Sequence, residues 1–329
     1  MSWKGKRVLV TGAGGFIGSH LVEYLVSHGA SVRAFLRYTS GGSYGQIDEL
    51  SDDIRDSLEI YKGEIREFDS VKRAMKNIDV VFNLAALVGI PYSYQHPFEV
   101  FETNTLGILN ILSIARDMKI ERIIQTSTSE VYGSAQYVPI DEKHPLQPQS
   151  PYSASKIAAD AIAMSFYYSF GTPVSIVRPF NTYGPRQSVR AIIPTIILQL
   201  IKKNKISLGS LETKRDFMFV KDTVSGFIKI AENRNSIGEA INLGTFSEIK
   251  VGDLAKKIAR ILGKKLKVSV DRERIRPKQS EVNRLLASNQ KAYELVGWKP
   301  RYSLDAGLKE TVEFYKLNCV KYYKEEYGV

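Results

Sequence analysis

Two side chains, Tyr152 and Lys156, have the types and the spacing for proton transfer. They lie in the segment SPYSASK, 150–156, which we expect to begin a helix, because Ser150 is a favoured N-cap residue and Pro151 suits the first helical position. Residues four apart occupy one face of a helix, so the phenol and the ammonium are neighbours. The ammonium and the positive end of the helix dipole both favour phenolate. We therefore expect a lowered Tyr152 pKa and a tyrosine that takes the proton of a sugar or alcohol hydroxyl.

A carboxylate, Glu130, stands among hydroxyl side chains in IIQTSTSEVYGSA, 123–135. The β-branched start of this stretch is typical of a buried strand, which we expect to end in the hydroxyl residues 126–129. Open α/β sheets bind their ligands at the carboxyl ends of the strands. Thr128, Ser129 and Glu130 are therefore candidates for a reacting site; the alternative is a structural carboxylate beside a turn.

A glycine-rich loop, TGAGGFIGSH at 11–20, lies between the first expected strand and the first expected helix. Its glycines allow the backbone to turn tightly, to approach a pyrophosphate and to pack the helix on the strand. The N-terminus of the helix supplies free N–H groups for phosphate oxygens. The loop therefore predicts a bound dinucleotide. The residues predicted to hold it are Gly12, Gly15, Phe16, Ile17 and Gly18.

The ends of the next strands bear on which dinucleotide binds. The second strand ends in Arg37, where an acidic residue would normally bind the ribose hydroxyls. A guanidinium pairs with a 2′-phosphate and no carboxylate repels it, so NADP is favoured and NAD is the alternative. Glu64 and Ile65 follow the third strand and are expected to meet the adenine ring. Small residues after the fourth strand, expected near the pyrophosphate and the nicotinamide ribose, are Leu84, Ala85 and Ala86.

Apolar strands alternate with amphipathic helices through the first half of the chain. Strands are predicted in RVLVTG, SVRAFL, DVVFNLAA, ERIIQTSTS and PVSIVRPF, with helices around 16–28, 68–76, 98–118 and 152–170. This alternation predicts an α/β fold with right-handed crossovers, a Rossmann-type doubly wound parallel sheet. Beyond about residue 180 the pattern breaks into shorter pieces. We expect a dinucleotide-binding domain at 1–180 and a smaller α/β substrate-binding lobe at 181–329, interleaved with an approximate boundary.

Composition narrows the class of protein. The 329 residues can form a large core, and no apolar run approaches the length of a membrane span. The chain enters a strand without the apolar region of a signal peptide, so a cytoplasmic protein is expected. The net charge of +11 is scattered among acidic residues, so neither a nucleic acid nor a membrane is expected as a partner. The single cysteine, Cys319, excludes an intramolecular disulfide, and the four histidines lack metal-ligand spacing.

A set of motifs follows in one order along the chain: TGAGGFIGSH, NLAA, STSEVYG, YSASK, RPFNTYGPRQ, RDFMFVKD and RIRP. In this order they resemble the extended short-chain dehydrogenases/reductases that act on nucleotide sugars, and the resemblance covers essentially the whole chain. NLAALVGIPYSY, TSTSEVYG and the RP…SEV…RLLA pattern are most similar to the nucleotide-sugar 4,6-dehydratases of the legionaminic-acid pathway. The motifs are very specific for the superfamily and much less so for the reaction.

The resemblance implies oxidation at C4 of the sugar. It assigns Tyr152 as the base on the 4-hydroxyl, Thr128 as the hydrogen-bond partner of that oxygen, and Lys156 to the cofactor ribose. Hydride passes to the nicotinamide, which stays tightly bound and is recycled. Glu130 occupies the position at which dehydratases carry the base for the acidified C5–H. Water then leaves C6 and the hydride returns there.

The residue before Glu130 leaves the reaction open. Better-known dehydratases have an aspartic acid at the position of Ser129 to protonate the departing hydroxyl, and a serine is too weak an acid to replace it. Either Glu130 returns its own proton, or Ser129 orders a water that does. The Thr-Ser-Glu triplet also resembles nucleotide-sugar acid decarboxylases, and a 4-epimerase is the other alternative. We predict a nucleotide-sugar 4,6-dehydratase acting on a nucleotide-diphospho-hexose, with an N-acetylhexosamine as one candidate.

The resemblance also assigns the substrate side. A nucleotide-diphospho-sugar is the expected partner, and guanidinium groups suit its diphosphate. The residues expected to contact it are Val88, Pro91, Tyr92, Asn181, Arg186, Arg215 and Arg276. Relatives form dimers through the helices at 98–118 and 152–170, and both helices are apolar on more than one face here, so a homodimer is expected. The reaction needs no metal.

Overall fold

The computed structural model describes residues 2–203, 205–271 and 279–323. Its strands are β1 (Arg7–Thr11), β2 (Ser31–Arg37), β3 (Glu59–Gly63), β4 (Val80–Asn83), β5 (Arg122–Thr126), β6 (Val174–Pro179), β7 (Asn181–Tyr183), β8 (Lys205–Leu208), β9 (Lys214–Arg215), β10 (Phe217–Phe219), β11 (Ala240–Leu243), β12 (Ile249–Lys250) and β13 (Lys267–Val270). Its helices are α1 (Phe16–Ser27), α2 (Asp52–Asp56), α3 (Phe68–Ala74), α4 (Ile90–Gln95), α5 (Pro97–Asp117), α6 (Pro151–Phe170), α7 (Ile192–Lys203), α8 (Val220–Glu232), α9 (Val251–Ile261), α10 (Gln290–Val296), α11 (Leu304–Leu317) and α12 (Cys319–Tyr323). Every strand and helix that the alternation predicts is present, with ends shifted by a few residues.

The large sheet has seven strands in the order β11-β6-β5-β4-β1-β2-β3. All its pairings are parallel, and Val8 of β1 is in register with Val32 of β2 on one side and Val80 of β4 on the other. From β1 the chain runs outward to β3, returns beside β1 as β4, and runs outward in the other direction. The strand order therefore reverses between β1 and β4, where the carboxyl ends form the crevice in which such sheets bind ligands.

Helices cover both faces of this sheet, because successive side chains of a buried strand point to opposite faces. Val8 and Val10 pack in the core beneath α1, α8 and α10, whereas Leu9 packs in the core beneath α3, α5 and α6. Helices α5 and α6 lie against each other on the second face. The doubly wound Rossmann-type sheet predicted from the sequence is confirmed.

The chain after residue 180 contributes to both the large sheet and a smaller lobe. Strand β11 pairs with β6 at the edge of the large sheet, and α8 and α10 pack on the face that carries α1. The smaller lobe has its own core, built mainly from α7, α9 and α11, with the short strand pairs β7–β10, β8–β13 and β9–β12. The second half of the chain thus adds one strand to the large sheet and two helices to one of its faces. Among the described residues, no helix has the length and apolar character needed to cross a membrane.

Candidate active site

The glycine-rich loop passes very close to the backbone that follows β4. Gly12 has a φ of +66°, and a Cβ there would lie 2.8 Å from the backbone N of Ala85. A Cβ on Gly18 would lie 2.2 Å from the carbonyl oxygen of Gly12. Because no larger residue fits either contact, these glycines allow the loop to lie directly over the ends of β1 and β4.

The N-terminus of α1 is open toward this loop. Gly15 is the N-cap residue and offers no side chain to cap the helix, so the first turn, which begins at Phe16 and Ile17, keeps its N–H groups for another acceptor. A helix N-terminus of this kind binds phosphate through its N–H groups and its dipole. Together with the glycine loop before it, this N-terminus fits the pyrophosphate of a dinucleotide.

A chain of buried side-chain hydrogen bonds fixes the strand ends beneath the loop. Thr11 Oγ1 donates to Asn83 Oδ1 at 2.6 Å, and Asn83 Nδ2 donates to Gln125 Oε1 at 2.7 Å. The N–H groups of Leu84 and Ala85 both donate to Thr11 Oγ1 at 3.1 Å. The ends of β1, β4 and β5 are therefore held as one layer. The predicted cofactor residues at its edge, all half-buried, are Leu84, Ala85 and Ala86.

The predicted adenosine side contains Arg37, Glu64 and Ile65. Arg37 ends β2 with an exposed side chain, and its charge acts on Glu64, which follows β3. Burial acts to raise the pKa of the Glu64 carboxyl, but hydrogen bonds and charge from Arg66 outweigh burial and lower that pKa. The side chain of Ile65 is buried in the core against Gly107 of α5, and its carbonyl oxygen accepts from Asn110 Nδ2 at 3.0 Å.

The helix that carries Tyr152 begins where the sequence predicts. Ser150 Oγ accepts the N–H of Ser153, and the Ser153 hydroxyl accepts the N–H of Ser150. Pro151 is the first helical residue. This capping box satisfies two donors at the start of α6 and fixes its first turn, in which Tyr152 lies.

Tyr152 and Lys156 are both buried near the carboxyl end of β5. The Tyr152 ring packs in a small apolar cluster with Ile90 of α4. Lys156 Nζ donates to the carbonyl oxygen of Thr126 at 2.6 Å, which ties α6 to the end of β5. Burial lowers the pKa of the Lys156 ammonium to about 8, and the charge of Asp160 opposes this lowering.

The expected lowering of the Tyr152 pKa is wrong for this arrangement of protein groups. Burial raises the pKa of the phenol above its ordinary value, a hydrogen bond with Thr128 lowers it in part, and the charge of Glu130 raises it further. The Lys156 ammonium is bound to the Thr126 carbonyl. Desolvation of the phenolate therefore outweighs the helix position on which the expectation rested.

Thr128 and Glu130 meet Tyr152 at this end of the sheet. The Thr128 side chain lowers the pKa of the phenol in part, and its Oγ1 accepts the N–H of Glu130 at 3.2 Å. The negative charge of Glu130 raises the pKa of the phenol, so the carboxylate is near enough to Tyr152 to act on it. Ser129, the residue between them, is only 3% exposed. The structure thus brings Thr128, Glu130 and Tyr152 into one cluster, with Ser129 buried beside it.

The segment after β4 lies beside the phenol. Tyr92 of α4 packs against the apolar cluster that contains Tyr152, and its hydroxyl donates to the Glu99 carboxylate at 2.5 Å. Val88 is 63% exposed, and Pro91 is exposed as well. Of the residues predicted to line a sugar pocket, Tyr92 contacts the reacting cluster, and the other two offer surface to solvent.

Asn181 and Arg215, both predicted to contact substrate, lie on short strands of the smaller lobe. Asn181 begins β7, and its buried Nδ2 has no acceptor among the described residues. Buried amide donors are normally paired, so this group fits a site for a ligand oxygen. Arg215 of β9 is buried and donates to the Lys214 carbonyl at 3.0 Å and to the Glu281 carboxylate at 3.3 Å.

Arg186, predicted to contact the substrate, binds residues of α1. Its buried guanidinium pairs with the Glu23 carboxylate and contacts the ring of His20, both on α1. Burial, and then the charge of Arg186, lowers the pKa of His20 to about 3, so the ring is neutral. The φ of Arg186 is +66°, a left-handed conformation within the turn that brings its side chain to α1. Arg276 lies outside the described residues.

The sequence patterns do not reveal two buried charged residues behind the site, Asp160 and Arg178. Arg178 Nε donates to Asp160 Oδ2 at 3.1 Å, and Nη2 lies 3.0 Å from the same oxygen. Charged residues are rarely buried unless paired, and removing one partner of such a pair costs about 3–5 kcal/mol. The signal in the sequence is the position of Asp160 one turn after Lys156 and the arginine within the apolar strand SIVRPF.

Known proteins resemble this chain over nearly its whole length. The family model of GDP-mannose 4,6 dehydratase matches residues 9–311. A putative UDP-glucose 4-epimerase of Methanocaldococcus jannaschii is 32% identical over 317 residues, which covers 94% of this chain and 99% of the relative. Human dTDP-D-glucose 4,6-dehydratase is 31% identical over 325 residues, which covers 95% of this chain and 91% of the relative.

A solved structure with ligands bound has a similar fold. DesIV, a dTDP-glucose 4,6-dehydratase of Streptomyces venezuelae with NAD and TYD bound, has a TM-score of 0.87 and 28% identity to this chain. The match covers 97% of this chain and all of that one. The chain therefore belongs to the GDP-mannose 4,6 dehydratase family, a group of extended short-chain dehydrogenase/reductase enzymes that act on nucleotide sugars with a nicotinamide cofactor.

Proposed function

We propose that this protein is a nucleotide-sugar 4,6-dehydratase. It would oxidise C4 of a nucleotide-diphospho-hexose, eliminate water across C5–C6 and return the hydride to C6. The observation that carries the proposal is that Glu130, whose backbone N–H binds the Thr128 hydroxyl, is near enough to Tyr152 for its charge to act on the phenol. A simple epimerase needs only rotation of the ketone and return of hydride to its other face. An additional acid–base group beside the oxidising tyrosine therefore supports elimination.

The protein residues divide the proton transfers among them. Tyr152 removes the proton of the 4-hydroxyl, and Thr128 hydrogen-bonds that oxygen. When bound, the nicotinamide cofactor accepts the hydride of C4 and later returns it to C6. Lys156 uses one N–H on the Thr126 carbonyl and has two more donors for the cofactor ribose. The C4 ketone acidifies C5–H, whose proton Glu130 removes.

The burial of Ser129 supports Glu130 as the acid for the leaving group. A serine hydroxyl is too weak an acid to protonate a departing hydroxyl. Glu130 gives the C5 proton to the C6 oxygen, which leaves as water. As the hydride returns to C6, C5 gains one proton, and Tyr152 releases the one that it took from the 4-hydroxyl, so no proton is gained or lost in total. Substrate and product then differ by one water, and the cofactor is recycled.

The substrate proposal rests on polar groups of the smaller lobe. The unpartnered Asn181 Nδ2, within the part of the chain that is described, is a donor for a ligand oxygen. Arg215 has a guanidinium suited to a diphosphate, which would replace Glu281 as its anion. Arg276 is proposed from the resemblance alone. The likeness of the motifs to the legionaminic-acid pathway favours an N-acetylhexosamine as the sugar.

Product analysis with a panel of UDP-, GDP-, CDP- and dTDP-hexoses and catalytic amounts of NADP tests this function. We expect one substrate to lose one water by mass spectrometry, without accumulation of reduced cofactor. Loss of CO₂ would instead assign a decarboxylase, and unchanged mass with altered stereochemistry would assign an epimerase. Stoichiometric formation of reduced cofactor would assign a net oxidoreductase.

We propose NADP as the preferred cofactor, because the last residue of β2 is Arg37, whose guanidinium is exposed, and not an acidic residue. Replacing Arg37 by alanine should weaken NADP binding by about 10- to 100-fold, the value of a charge-assisted hydrogen bond to a phosphate. NAD binding should stay the same. Fluorescence titration with both dinucleotides measures the two constants, and Arg55→Ala on α2 is the control. Equal losses for NADP and NAD would contradict the proposal.

We propose a homodimer through the outer faces of α5 and α6. These adjacent helices expose large apolar side chains, among them Phe98 at 85% and Tyr168 at 77%. Apolar patches of this kind mark interaction surfaces, and in a symmetric dimer the same patch of a second copy packs against it. Light scattering should give a dimer for the native chain and a monomer for Phe98→Asp/Tyr168→Asp. Tyr293→Asp, an exposed tyrosine of α10, should remain dimeric; a monomeric native chain would contradict the proposal.

A further inference from the structure

Two consecutive residues at the end of β5 are each bound by a charged group of α6. Lys156 Nζ donates to the carbonyl oxygen of Thr126 at 2.6 Å, and Ser127 Oγ donates to Asp160 Oδ2 at 2.8 Å. Lys156 and Asp160 are four residues apart and share a helix face. One face of α6 therefore holds the backbone immediately before Thr128.

The same set of contacts reaches the other end of the reacting segment. Arg178 of β6 pairs with Asp160, and its Nη1 donates to the Tyr132 hydroxyl at 2.9 Å. Tyr132 donates in turn to Asn242 Oδ1 of β11 at 2.7 Å. Tyr132 closes the short turn Ser129–Tyr132, in which Glu130 lies. The segment 126–132 is thus bound at its start through Asp160 and at its end through Arg178.

All of these contacts are inside the protein. None of Ser127, Tyr132, Asp160 and Arg178 exposes more than 6% of its surface. Hydrogen bonds are stronger away from water, and a buried set of linked hydrogen bonds restricts the geometry of its members. The arrangement is therefore rigid at the two ends of the segment that carries the reacting groups.

We propose that Asp160 and Arg178 are positioning residues that hold segment 126–132 at both ends. They align the Thr128 hydroxyl and the Glu130 carboxylate with Tyr152. The role for Glu130 rests on the proposed dehydratase function. The role for Thr128 rests only on oxidation at C4.

Asp160 also affects the charge of Lys156. Asp160 Oδ2 binds Ser127 and Arg178, whereas Oδ1 has no hydrogen-bond donor within the described ranges. The negative charge of Asp160 raises the pKa of the Lys156 ammonium, while burial lowers it. The titratable and charged groups that face this network are Glu130, Tyr132, Glu142, Tyr152, Lys156, Asp160 and Arg178. A neutral side chain at 160 therefore removes an anion that favours the ammonium.

The holoenzyme with Asp160→Asn tests the proposal in a single turnover with substrate. Reduced nicotinamide should form about 10- to 100-fold more slowly, the range for a small misplacement of reacting groups. The high-pH limb of the rate, on which the Lys156 ammonium is lost, should move to lower pH by about one unit. A residue with a merely structural role would lower the melting temperature and leave that limb in place.

Two milder variants separate the ends of the segment. Ser127→Ala should slow formation of reduced nicotinamide, because it frees the backbone before Thr128. Tyr132→Phe should slow elimination more than oxidation, because it frees the turn that carries Glu130. Neither leaves a buried charge unpaired. The matched control is Tyr315→Phe, which removes another buried hydroxyl, bound to the Gln187 carbonyl of the smaller lobe, and should keep both rates.

The outcomes are distinct from those for the function itself. A folded Asp160→Asn enzyme with the native oxidation rate and pH profile would overturn the positioning role. If that variant does not fold, native rates in both Ser127→Ala and Tyr132→Phe would overturn it. A native enzyme that yields only an epimer would overturn the dehydratase function and leave the oxidation measurements on Asp160 and Ser127 unaffected.

Discussion

Replacing Glu130 by glutamine is expected to give an enzyme that oxidises its substrate and then stops. The amide is nearly the size of the carboxylate, and the hydrogen bond to Thr128 comes from the backbone N–H of Glu130, which the substitution keeps. C4 oxidation by Tyr152 should therefore continue. Removal of the C5 proton should slow by about 10²- to 10⁴-fold, the usual contribution of a general base.

Two signals measure this stall. The absorbance of reduced nicotinamide should rise to one equivalent per site and persist, while mass spectrometry detects a 4-keto sugar that retains its C6 oxygen. The control is Glu121→Gln, which changes a carboxylate next to the other end of β5, paired with Lys6. Formation of the dehydrated product at the native rate by Glu130→Gln would remove this carboxylate from the mechanism.

Local sequence rules predict the frame of the site well. Ser150 and Pro151 fix the start of α6 through contacts within a few residues, so the capping box forms as the sequence predicts. Gly18 is required equally locally, because a Cβ there would meet the carbonyl oxygen of Gly12, and the φ of +66° at Gly12 is also a local requirement. The strand ends follow from the alternation of apolar segments. These features depend on neighbours in the sequence.

The features that sequence rules miss depend on residues far apart in the chain. The pKa of Tyr152 rises because α4 and α5 bury the ring, and this desolvation outweighs its position in the first turn of a helix. Arg186 pairs with Glu23, which is 163 residues away in the chain. Asp160 and Arg178 meet only when α6 lies over β6. No motif of the sequence encodes these contacts by itself.

Tyr152→Phe is expected to abolish both signals that Glu130→Gln separates. The phenyl ring keeps its packing with Ile90 and Val100, so the fold and cofactor binding should be retained. Without the hydroxyl, no group accepts the proton of the 4-hydroxyl, and oxidation should slow by about 10²- to 10⁴-fold. Neither reduced nicotinamide nor dehydrated product should then form. Single-turnover absorbance and product mass measure both, with dinucleotide titration as the check on binding.

Comparison of Tyr152→Phe with Glu130→Gln determines which proton transfer comes first. Loss of the phenol blocks the first proton transfer, and every later step requires the ketone that this transfer makes. Loss of the carboxylate acts only after the ketone exists. If Tyr152→Phe reduced the cofactor at the native rate, another group would be the base for C4. The protein groups raise the pKa of this phenol, so the native oxidation rate should also increase with pH as the phenol loses its proton. The increase should end where the Lys156 ammonium, with a pKa of about 8, loses its proton.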